Sequence, residues 1–317
     1  MTEQKNNRLL ILSHNAHKYA KLIADAGVPD LQITPTVTVE KARAFANQQN
    51  ILLAPPDLAY EILPAMTNLQ WMQSTWAGVN KLLEEGCRKD YLLTGVKGVF
   101  GPIMSEYVFC YILMHARKAL QCYALQKDRK WEMPMPGLLR GKKIGIMGVG
   151  SIGIAIAQTA KHFNMITYGY SRSATLKPEI DRMFKPDNIL NFVGDLDYLV
   201  TVLPQTLNTN SLINSTILKA MKTDALLINV GRGNVLDERA LIEALNSQEI
   251  AGAVLDVFQQ EPLPDTHPLW NTRGAIITSH KSALTYPEDI APIFINNYKR
   301  FIARQNLQFC IDFERGY

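Results

Sequence analysis

Three polar side chains, each placed just after an apolar stretch, are of the types that reduction of a keto group requires: Arg232, Glu261 and His280. Hydride transfer to a keto carbon places negative charge on its oxygen, and a protonated histidine can donate a proton as that charge develops. A carboxylate beside the imidazole raises the histidine pKa, and an arginine can bind a substrate carboxylate and polarise the carbonyl. We therefore interpret His280 as the acid, Glu261 as its partner and Arg232 as the anchor. Each residue taken alone could instead have a structural role, in a surface ion pair, a turn or a loop.

A glycine-rich turn lies upstream of these residues. Gly148-Val-Gly150-Ser-Ile-Gly153 follows an apolar segment and opens an apolar helix, which is the context that a G-x-G-x-x-G dinucleotide motif requires. Gly148 would permit the tight turn, Gly150 would let the backbone approach a pyrophosphate, and Gly153 would let the helix pack on the strand. The N-terminus of the helix would offer N–H groups to the phosphates. A structural turn without a ligand is the alternative.

The segment Ser171-Arg-Ser173 points to the type of cofactor. NAD-binding proteins usually place an Asp or Glu about 20 residues beyond the turn, where it binds the ribose 2′-hydroxyl, but this chain has Arg172 there. A guanidinium can pair with a 2′-phosphate while the two serines donate hydrogen bonds. We therefore predict NADP(H) in preference to NAD(H). In the alternative interpretation, Arg172 is a solvated surface residue and the site is unselective.

The elements that would position these residues form two series of alternating strands and helices, which predict parallel sheets covered on both faces. The predicted strands are Leu9–Leu12, Ile51–Ala54, Leu69–Ser74 and Tyr91–Val96, then Ile144–Met147, Met165–Tyr170, Tyr198–Leu203, Ala225–Val230, Gly252–Asp256, Ala275–Thr278 and a short one at Phe309–Ile311. Helices are predicted near Tyr19–Ala26, Val39–Ala46, Asn80–Glu85, Ser105–Gln121 and Pro287–Arg304. The predicted fold class is α/β, with two doubly wound, Rossmann-like parallel-sheet domains and an active-site cleft between them.

Composition narrows the function classes. A chain of 317 residues suggests two domains, and its small net charge of +4, from scattered Lys and Arg, predicts no nucleic-acid partner but favours small anionic substrates. The four cysteines form no C-x-x-C pair, so we predict no metal site. The N-terminal apolar run is too short for a signal peptide and no stretch is long enough to span a membrane, so we expect no membrane association and a cytoplasmic protein.

The sequence resembles the D-isomer-specific 2-hydroxyacid dehydrogenase family. The matching landmarks, in the same order and spacing, are Leu139-Arg-Gly-Lys-Lys-Ile-Gly-Ile-Met-Gly-Val-Gly-Ser-Ile-Gly153, Asn229-Val-Gly-Arg-Gly233, Leu255-Asp-Val-Phe-Gln-Gln-Glu-Pro-Leu-Pro264 and His280. The ending Ile311-Asp-Phe-Glu-Arg-Gly-Tyr317 and the segment Ser171–Ser173 further resemble the glyoxylate/hydroxypyruvate reductase branch.

The resemblance implies an NADPH-dependent reductase of a small 2-keto acid, with His280 as proton donor, and it implies a homodimer that uses the long helix near Ser105–Gln121. The implied substrate domain is residues 1–100 with 286–317, and the dinucleotide-binding domain is 101–285. The backbone of the loop Ser74–Val79 would bind the substrate carboxylate. The predicted substrate contacts are Trp76, Ala77, Gly78, Val79, Arg232 and His280. The predicted cofactor contacts are Gly148, Gly150, Ser151, Ile152, Gly153, Ser171, Arg172, Ser173, Leu203, Pro204, Val230, Gly231 and Asp256, the last near the nicotinamide carboxamide.

Three positions depart from the family pattern. Ser279 stands where proline is usual, Lys281 stands where a small or apolar residue is usual, and Trp76 is bulky for the substrate loop. A Lys281 side chain that pointed inward would lower the pKa of His280, but we expect it to point to solvent. The alternatives are a reductase of bulkier 2-keto acids and a nucleotide-sensing interaction protein on the same fold. Formate oxidation is disfavoured, because that relative has glutamine in place of Glu261.

Overall fold

The computed structural model describes residues 7–314, and the chain divides into two compact units. The first unit contains the described residues up to Val99 together with those from Thr285 onward, and the second is Phe100–Leu284. Each unit has its own sheet, and every pairing between named strands is parallel. Most strands are apolar and buried along their length, as expected of parallel sheets covered by helices on both faces. Two Rossmann-like sheets confirm the predicted α/β class.

The first unit is a five-stranded sheet with helices packed against it. Its strands are β1 (Asn7–Leu12), β2 (Leu31–Thr36), β3 (Ile51–Ala54), β4 (Trp71–Ser74) and β5 (Leu92–Thr94), in the spatial order β2-β1-β3-β4-β5. Its helices are α1 (Ala16–Asp25), α2 (Val39–Arg43), α3 (Pro56–Ile62) and a C-terminal helix (Pro287–Ile302). The C-terminal helix completes the core, because the rings of Phe294 and Trp71 stack with centroids 5.0 Å apart.

The second unit is a seven-stranded sheet. Its strands are β6 (Lys143–Met147), β7 (Ile166–Tyr170), β8 (Arg182–Phe184), β9 (Tyr198–Thr201), β10 (Leu226–Asn229), β11 (Gly252–Leu255) and β12 (Ala275–Ile277), in the order β12-β11-β10-β9-β6-β7-β8. Its helices are α4 (Phe100–Ala116), α5 (Ala119–Lys127), α6 (Ser151–His162), α7 (Ile189–Val193), α8 (Ser215–Ala220) and α9 (Glu238–Asn246). The chain order reverses between β6 and β9, so the carboxyl ends of these two strands form the switch point at which such sheets bind ligands.

Two strands were not predicted, and both lie at a sheet edge. Among the described strands, β2 pairs only with β1, and it contains Pro35, whose missing N–H is tolerated on an edge strand. Within residues 7–314, β8 pairs only with β7, and it has three residues. An edge strand is less buried than a central one, so its sequence is less consistently apolar. In β2 the apolar residues alternate with polar ones, and for this reason the strand was not recognised.

Three predicted elements were wrong in extent. The helix expected at Ser105–Gln121 is two helices, because Lys118 adopts a left-handed conformation (φ +56°) and the Ala116 carbonyl accepts a hydrogen bond from the Gly137 N–H at 2.7 Å. The segment Asn80–Glu85 forms only a 3₁₀ turn at Asn80–Leu82. The strand expected at Phe309–Ile311 is reduced to an isolated antiparallel bridge between Thr94 and Cys310.

Candidate active site

The glycine turn between β6 and α6 has the backbone shape of a phosphate-binding loop. Gly148 has φ +100°, and a Cβ there would lie 2.9 Å from the Val202 carbonyl oxygen, while a Cβ on Gly153 would lie 2.2 Å from the Gly148 oxygen. A Cβ on Gly150, by contrast, would meet nothing within 4 Å. Two of these glycines are therefore required by the fold, and the third faces open space where a ligand can approach.

The start of α6 leaves amide donors available at this turn. Gly150 is the N-cap residue and provides no side-chain cap, and Ser151 and Ile152 are the first residues of the helix. First-turn amides have no intrahelical acceptor, and together with the helix dipole they bind anions. The turn therefore fits the pyrophosphate of a dinucleotide.

Ser171, Arg172 and Ser173 follow β7 at the same edge of the sheet. The Ser171 amide donates to the Phe184 carbonyl of the neighbouring strand at 3.2 Å, and the Ser171 hydroxyl accepts from the Ala174 amide at 3.1 Å. Arg172 and Ser173 are exposed, and within residues 7–314 Arg172 forms no ion pair. The guanidinium is therefore free to receive an anionic group.

The predicted cofactor contacts after β9 and β10 lie side by side. A Cβ on Gly231 would lie 2.8 Å from both the backbone nitrogen and oxygen of Leu203, so the segments Leu203–Pro204 and Val230–Gly231 are in backbone contact. Asn229, whose role the sequence did not reveal, is fully buried at the end of β10. Its side chain accepts from the Gly231 amide at 3.2 Å and donates to the Arg232 carbonyl at 3.2 Å. Asn229 thus fixes the backbone that carries Arg232.

Glu261 and His280 form a hydrogen-bonded pair. Glu261 Oε2 lies 2.6 Å from His280 Nδ1, and Glu261 Oε1 accepts from the Phe258 amide at 2.9 Å. Because a carboxylate can only accept, Nδ1 carries a proton, and the second ring nitrogen, Nε2, is the one left to exchange a proton with a substrate. The Glu261 segment is itself held to α9, since the Gln259 amide donates to Glu238 Oε1 at 2.8 Å.

The charges of this pair stabilise each other. The hydrogen bond that His280 donates to Glu261, the largest effect, raises the pKa of His280, and it outweighs burial and the nearby Arg232 charge, both of which lower it. Burial raises the pKa of Glu261, but the hydrogen bonds from His280 and the Phe258 amide prevail, so the pKa falls below its ordinary value. The site therefore favours an imidazolium beside a carboxylate.

Arg232 is the third member of the set. Its guanidinium donates to the Gly231 carbonyl at 2.8 Å. Burial lowers the pKa of Arg232 and the Glu261 carboxylate partly offsets this, but an arginine remains protonated throughout the range in which proteins are stable. A half-buried positive charge, with guanidinium donors beyond the one bonded to Gly231, is suited to binding a carboxylate.

Asp256 and the residues after β12 hold His280 in place. His280 has a left-handed backbone (φ +51°), and its amide donates to the Asp256 carbonyl at 2.8 Å. The Asp256 carboxylate is fully buried, and it accepts from the amides of Lys281 and Ser282 and from the Thr278 hydroxyl. The predicted contact of Asp256 with the nicotinamide carboxamide stays a prediction; the contacts seen here are with the His280 segment.

In the first unit, the loop after β4 is fixed by side-chain hydrogen bonds. The Ser74 hydroxyl accepts from the Trp76 amide at 3.0 Å and donates to the Trp76 carbonyl at 2.8 Å. The buried Gln73 side chain, which the sequence interpretation missed, donates to the Ser74 carbonyl at 2.9 Å. Trp76 and Ala77 are exposed, Gly78 is half-buried and Val79 is buried. Because the Trp76 amide is already used, only the amides further along the loop remain for a substrate carboxylate.

The two other departures from the family pattern, Ser279 and Lys281, flank His280 in the sequence. Ser279 and Lys281 are exposed, and the charges that shift the pKa of His280 are those of Glu261, Arg232 and Asp256.

Within residues 7–314, no group of three or more His, Cys, Asp or Glu side chains could hold a metal ion. In the same part of the chain, no helix has the length and apolar character needed to cross a membrane.

Comparison with known proteins places this site in a family. The model of the NAD-binding domain of D-isomer specific 2-hydroxyacid dehydrogenases matches residues 109–282. A glyoxylate/hydroxypyruvate reductase A from Photorhabdus laumondii is 28% identical over 271 residues, which cover 83% of this chain and 86% of that protein.

Two solved structures are similar over almost the whole chain. A D-isomer specific 2-hydroxyacid dehydrogenase family protein from Aeromonas salmonicida is 41% identical, with a TM-score of 0.95, covering 98% of this chain and 100% of that one. A D-isomer specific 2-hydroxyacid dehydrogenase from Xanthobacter autotrophicus, in complex with NADPH and MES, is 26% identical, with a TM-score of 0.82 and the same coverage.

Proposed function

Because the chain belongs to the D-isomer specific 2-hydroxyacid dehydrogenase family, we propose that it reduces a small 2-keto acid of the glyoxylate or hydroxypyruvate type with NADPH, and that His280 is the proton donor. The observation that carries this proposal is the 2.6 Å contact between His280 Nδ1 and Glu261 Oε2. It keeps the imidazole protonated and oriented, as a general acid must be. The coarser activity, nicotinamide-dependent reduction of a 2-keto acid, follows from the family.

A nicotinamide cofactor held at the glycine turn Gly148–Gly153 would provide the hydride for the keto carbon. His280 gives its Nε2 proton to the carbonyl oxygen as negative charge develops there, so that hydride and proton together yield the 2-hydroxy acid. Glu261 stabilises the imidazolium before transfer, and afterwards it continues to accept the hydrogen bond from the Nδ1–H of the neutral imidazole. Arg232 binds the substrate carboxylate and polarises the carbonyl with a fixed positive charge that needs no reorganisation during reaction.

The preference for NADPH is proposed from Arg172. It is exposed and lacks an ion-pair partner in the described chain, it lies between two serines, and no carboxylate takes the place of the usual ribose-binding acid. The Xanthobacter relative was solved with NADPH. The glycine turn and the segments Leu203–Pro204 and Val230–Gly231 would bind the rest of the cofactor, so that the dinucleotide domain is the second unit.

The substrate carboxylate is proposed to bind the loop Trp76–Val79 of the first unit. The amides of Ala77, Gly78 and Val79 are the candidates, because Ser74 occupies the amide of Trp76. The Trp76 side chain, exposed to 41%, would limit the size of the substrate. The Photorhabdus relative is a glyoxylate/hydroxypyruvate reductase A, which agrees with a two- or three-carbon keto acid.

A homodimer is proposed from an exposed apolar surface on α5 and the segment after it, whereas the sequence analysis placed the dimer contact on the long helix near Ser105–Gln121. None of the residues of α5 is buried. Large apolar side chains are exposed both on α5 and on the segment that follows it: Leu120, Tyr123, Trp131, Met133, Met135 and Leu138. A surface of this kind normally marks a protein contact, and a second copy of the chain is the occupant that the family resemblance implies.

Steady-state assays test the proposed function. Glyoxylate, hydroxypyruvate, pyruvate and phenylpyruvate would each be assayed with NADPH and with NADH on the full chain. We expect turnover to be highest with NADPH and the two smallest keto acids. A preference for phenylpyruvate would replace the small-substrate proposal, and no turnover of any keto acid with either cofactor would overturn the enzymatic one.

A further inference from the structure

Three consecutive amides wrap around Asp256. The His280 amide donates to its backbone carbonyl at 2.8 Å, the Lys281 amide to Oδ1 at 2.9 Å and the Ser282 amide to Oδ2 at 2.8 Å. Successive N–H groups on either side of a left-handed residue form a concave nest that binds an anion. The left-handed conformation of His280 is therefore the one that turns the next two amides toward the carboxylate.

A chain of two hydroxyl groups ends on the same carboxylate. Thr278 Oγ1 lies 2.5 Å from Asp256 Oδ1, and Tyr107 Oη lies 2.6 Å from Thr278 Oγ1. The carboxylate can only accept, so the single hydroxyl proton of Thr278 is committed to Asp256, and Tyr107 must be the donor to Thr278. The direction of donation is thus fixed along Tyr107, Thr278 and Asp256.

We propose that Thr278 and Tyr107 are positioning residues for the reaction: with Asp256 they hold the backbone turn that presents His280 to the substrate. The proposal rests on the proposed role of His280 as the acid. Each hydroxyl is bonded along the chain to Asp256 and not to the imidazole, so both would act through Asp256, whose side chain is wholly buried.

The surroundings explain why this carboxylate needs all its donors. Asp256 directly follows β11, whose Val254 belongs to an apolar cluster with Ile276, and a buried charge next to such a cluster is tolerated only when it is fully hydrogen-bonded. Loss of the Thr278 hydroxyl removes one of the three donors to the carboxylate and leaves the Tyr107 hydroxyl without this acceptor. The nest would then loosen, and the imidazole would lose its fixed orientation toward Glu261.

The decisive variants are Thr278→Val, which removes the hydroxyl at nearly constant shape, and Thr278→Ser, which retains it. With NADPH and glyoxylate, we expect Thr278→Val to lower kcat about tenfold, the order that loss of one charge-assisted hydrogen bond produces. We expect its KM for NADPH to change less than about twofold. Thr278→Ser should restore kcat to within about threefold of the unmodified protein. Thr272→Val is the matched control, because within residues 7–314 the Thr272 hydroxyl hydrogen-bonds only to the Pro268 carbonyl, at 3.0 Å, and not to Asp256 or His280.

Tyr107→Phe tests the outer member of the chain without touching Asp256. We expect a smaller loss of kcat than in Thr278→Val, and the double variant should match Thr278→Val alone, because both hydroxyls act through one bond to Asp256. If the two single losses of kcat multiply in the double variant, Tyr107 does not act through Thr278 and the proposed chain of hydroxyls is wrong. Tyr107→Phe and Thr278→Ser still decide the matter if Thr278→Val does not fold.

His280→Ala, assayed in parallel, separates this inference from the proposed function. If His280→Ala retains kcat, the histidine is not the acid and the proposed mechanism fails. If His280→Ala loses kcat while Thr278→Val and Tyr107→Phe resemble Thr272→Val, the positioning role alone is wrong. A change in thermal stability without the selective loss of kcat would also contradict it.

Discussion

Glu261→Gln should change the pH dependence of the reaction more than it changes substrate binding. In the proposed mechanism reduction requires a protonated His280, and the hydrogen bond that His280 donates to Glu261 is the largest cause of its raised pKa. Activity should therefore persist as the pH rises past about 6.5, the ordinary histidine value, and fall only as the pH passes the raised pKa of the folded enzyme. Without the carboxylate the pKa of His280 decreases, so the alkaline fall in kcat should begin at lower pH.

The size of the effect follows from the exposure of the pair. A hydrogen bond to a charged group contributes roughly 1.5–3 kcal/mol when it is well formed. The His280 side chain is 53% exposed and that of Glu261 is 35% exposed, so solvent screening places this pair at or below the lower end of the range. A difference of about 1.4 kcal/mol corresponds to a tenfold change, and we expect kcat to be about tenfold lower at about pH 8, with a smaller loss in more acidic buffer.

The assay is kcat against pH with NADPH and saturating glyoxylate. Glu243→Gln is the matched control: it makes the same change of charge at an exposed residue of α9 that pairs only with Arg239 in the described chain. An alkaline limb that stays in place in Glu261→Gln, or moves equally in both variants, would refute the claim that Glu261 keeps His280 protonated.

Three further predictions follow from other parts of the second unit. Arg172→Ala should raise the KM for NADPH about tenfold or more through loss of a charge-assisted contact while barely changing the KM for NADH, and equal effects on both would remove the 2′-phosphate role. Gly153→Ala should greatly weaken NADPH binding in a fluorescence titration, because its Cβ would lie 2.2 Å from the Gly148 oxygen; unchanged affinity would contradict the turn geometry. Trp131→Glu should lower the mass measured by light scattering from that of a dimer to that of a monomer, and an unchanged mass would show that the exposed segment is not the contact.

The sequence predicted the residues whose spacing is dictated by chemistry. The glycine turn was recognised because its turn, close approach and helix packing each demand glycine at a fixed offset, and the structure finds a steric reason at Gly148 and Gly153. The pairing of Glu261 with His280 was predicted because both follow strands of one parallel sheet, whose carboxyl ends meet at one edge.

The polar residues that support the site were missed, because nothing in their local pattern distinguishes them from ordinary strand or helix positions. Thr278 comes at the end of a predicted strand, and a threonine is compatible with any β-strand. Tyr107 lies on an apolar helix, where a tyrosine normally contributes its ring to the core. Gln73 carried a usable signal: an uncharged polar residue inside a fully buried strand must find partners. The break between α4 and α5 at Lys118 could not be predicted, because a lysine in the sequence does not indicate a left-handed backbone.

The central claim is that His280 is the general acid, and its most direct test is a comparison of kcat for His280→Ala and the unmodified chain, with the NADPH dissociation constant measured for each. General acid catalysis contributes about 10²–10⁴-fold, so we expect kcat to fall at least about 100-fold while NADPH binds with an affinity within about twofold. If kcat stays within about threefold of the unmodified enzyme, His280 does not donate the proton.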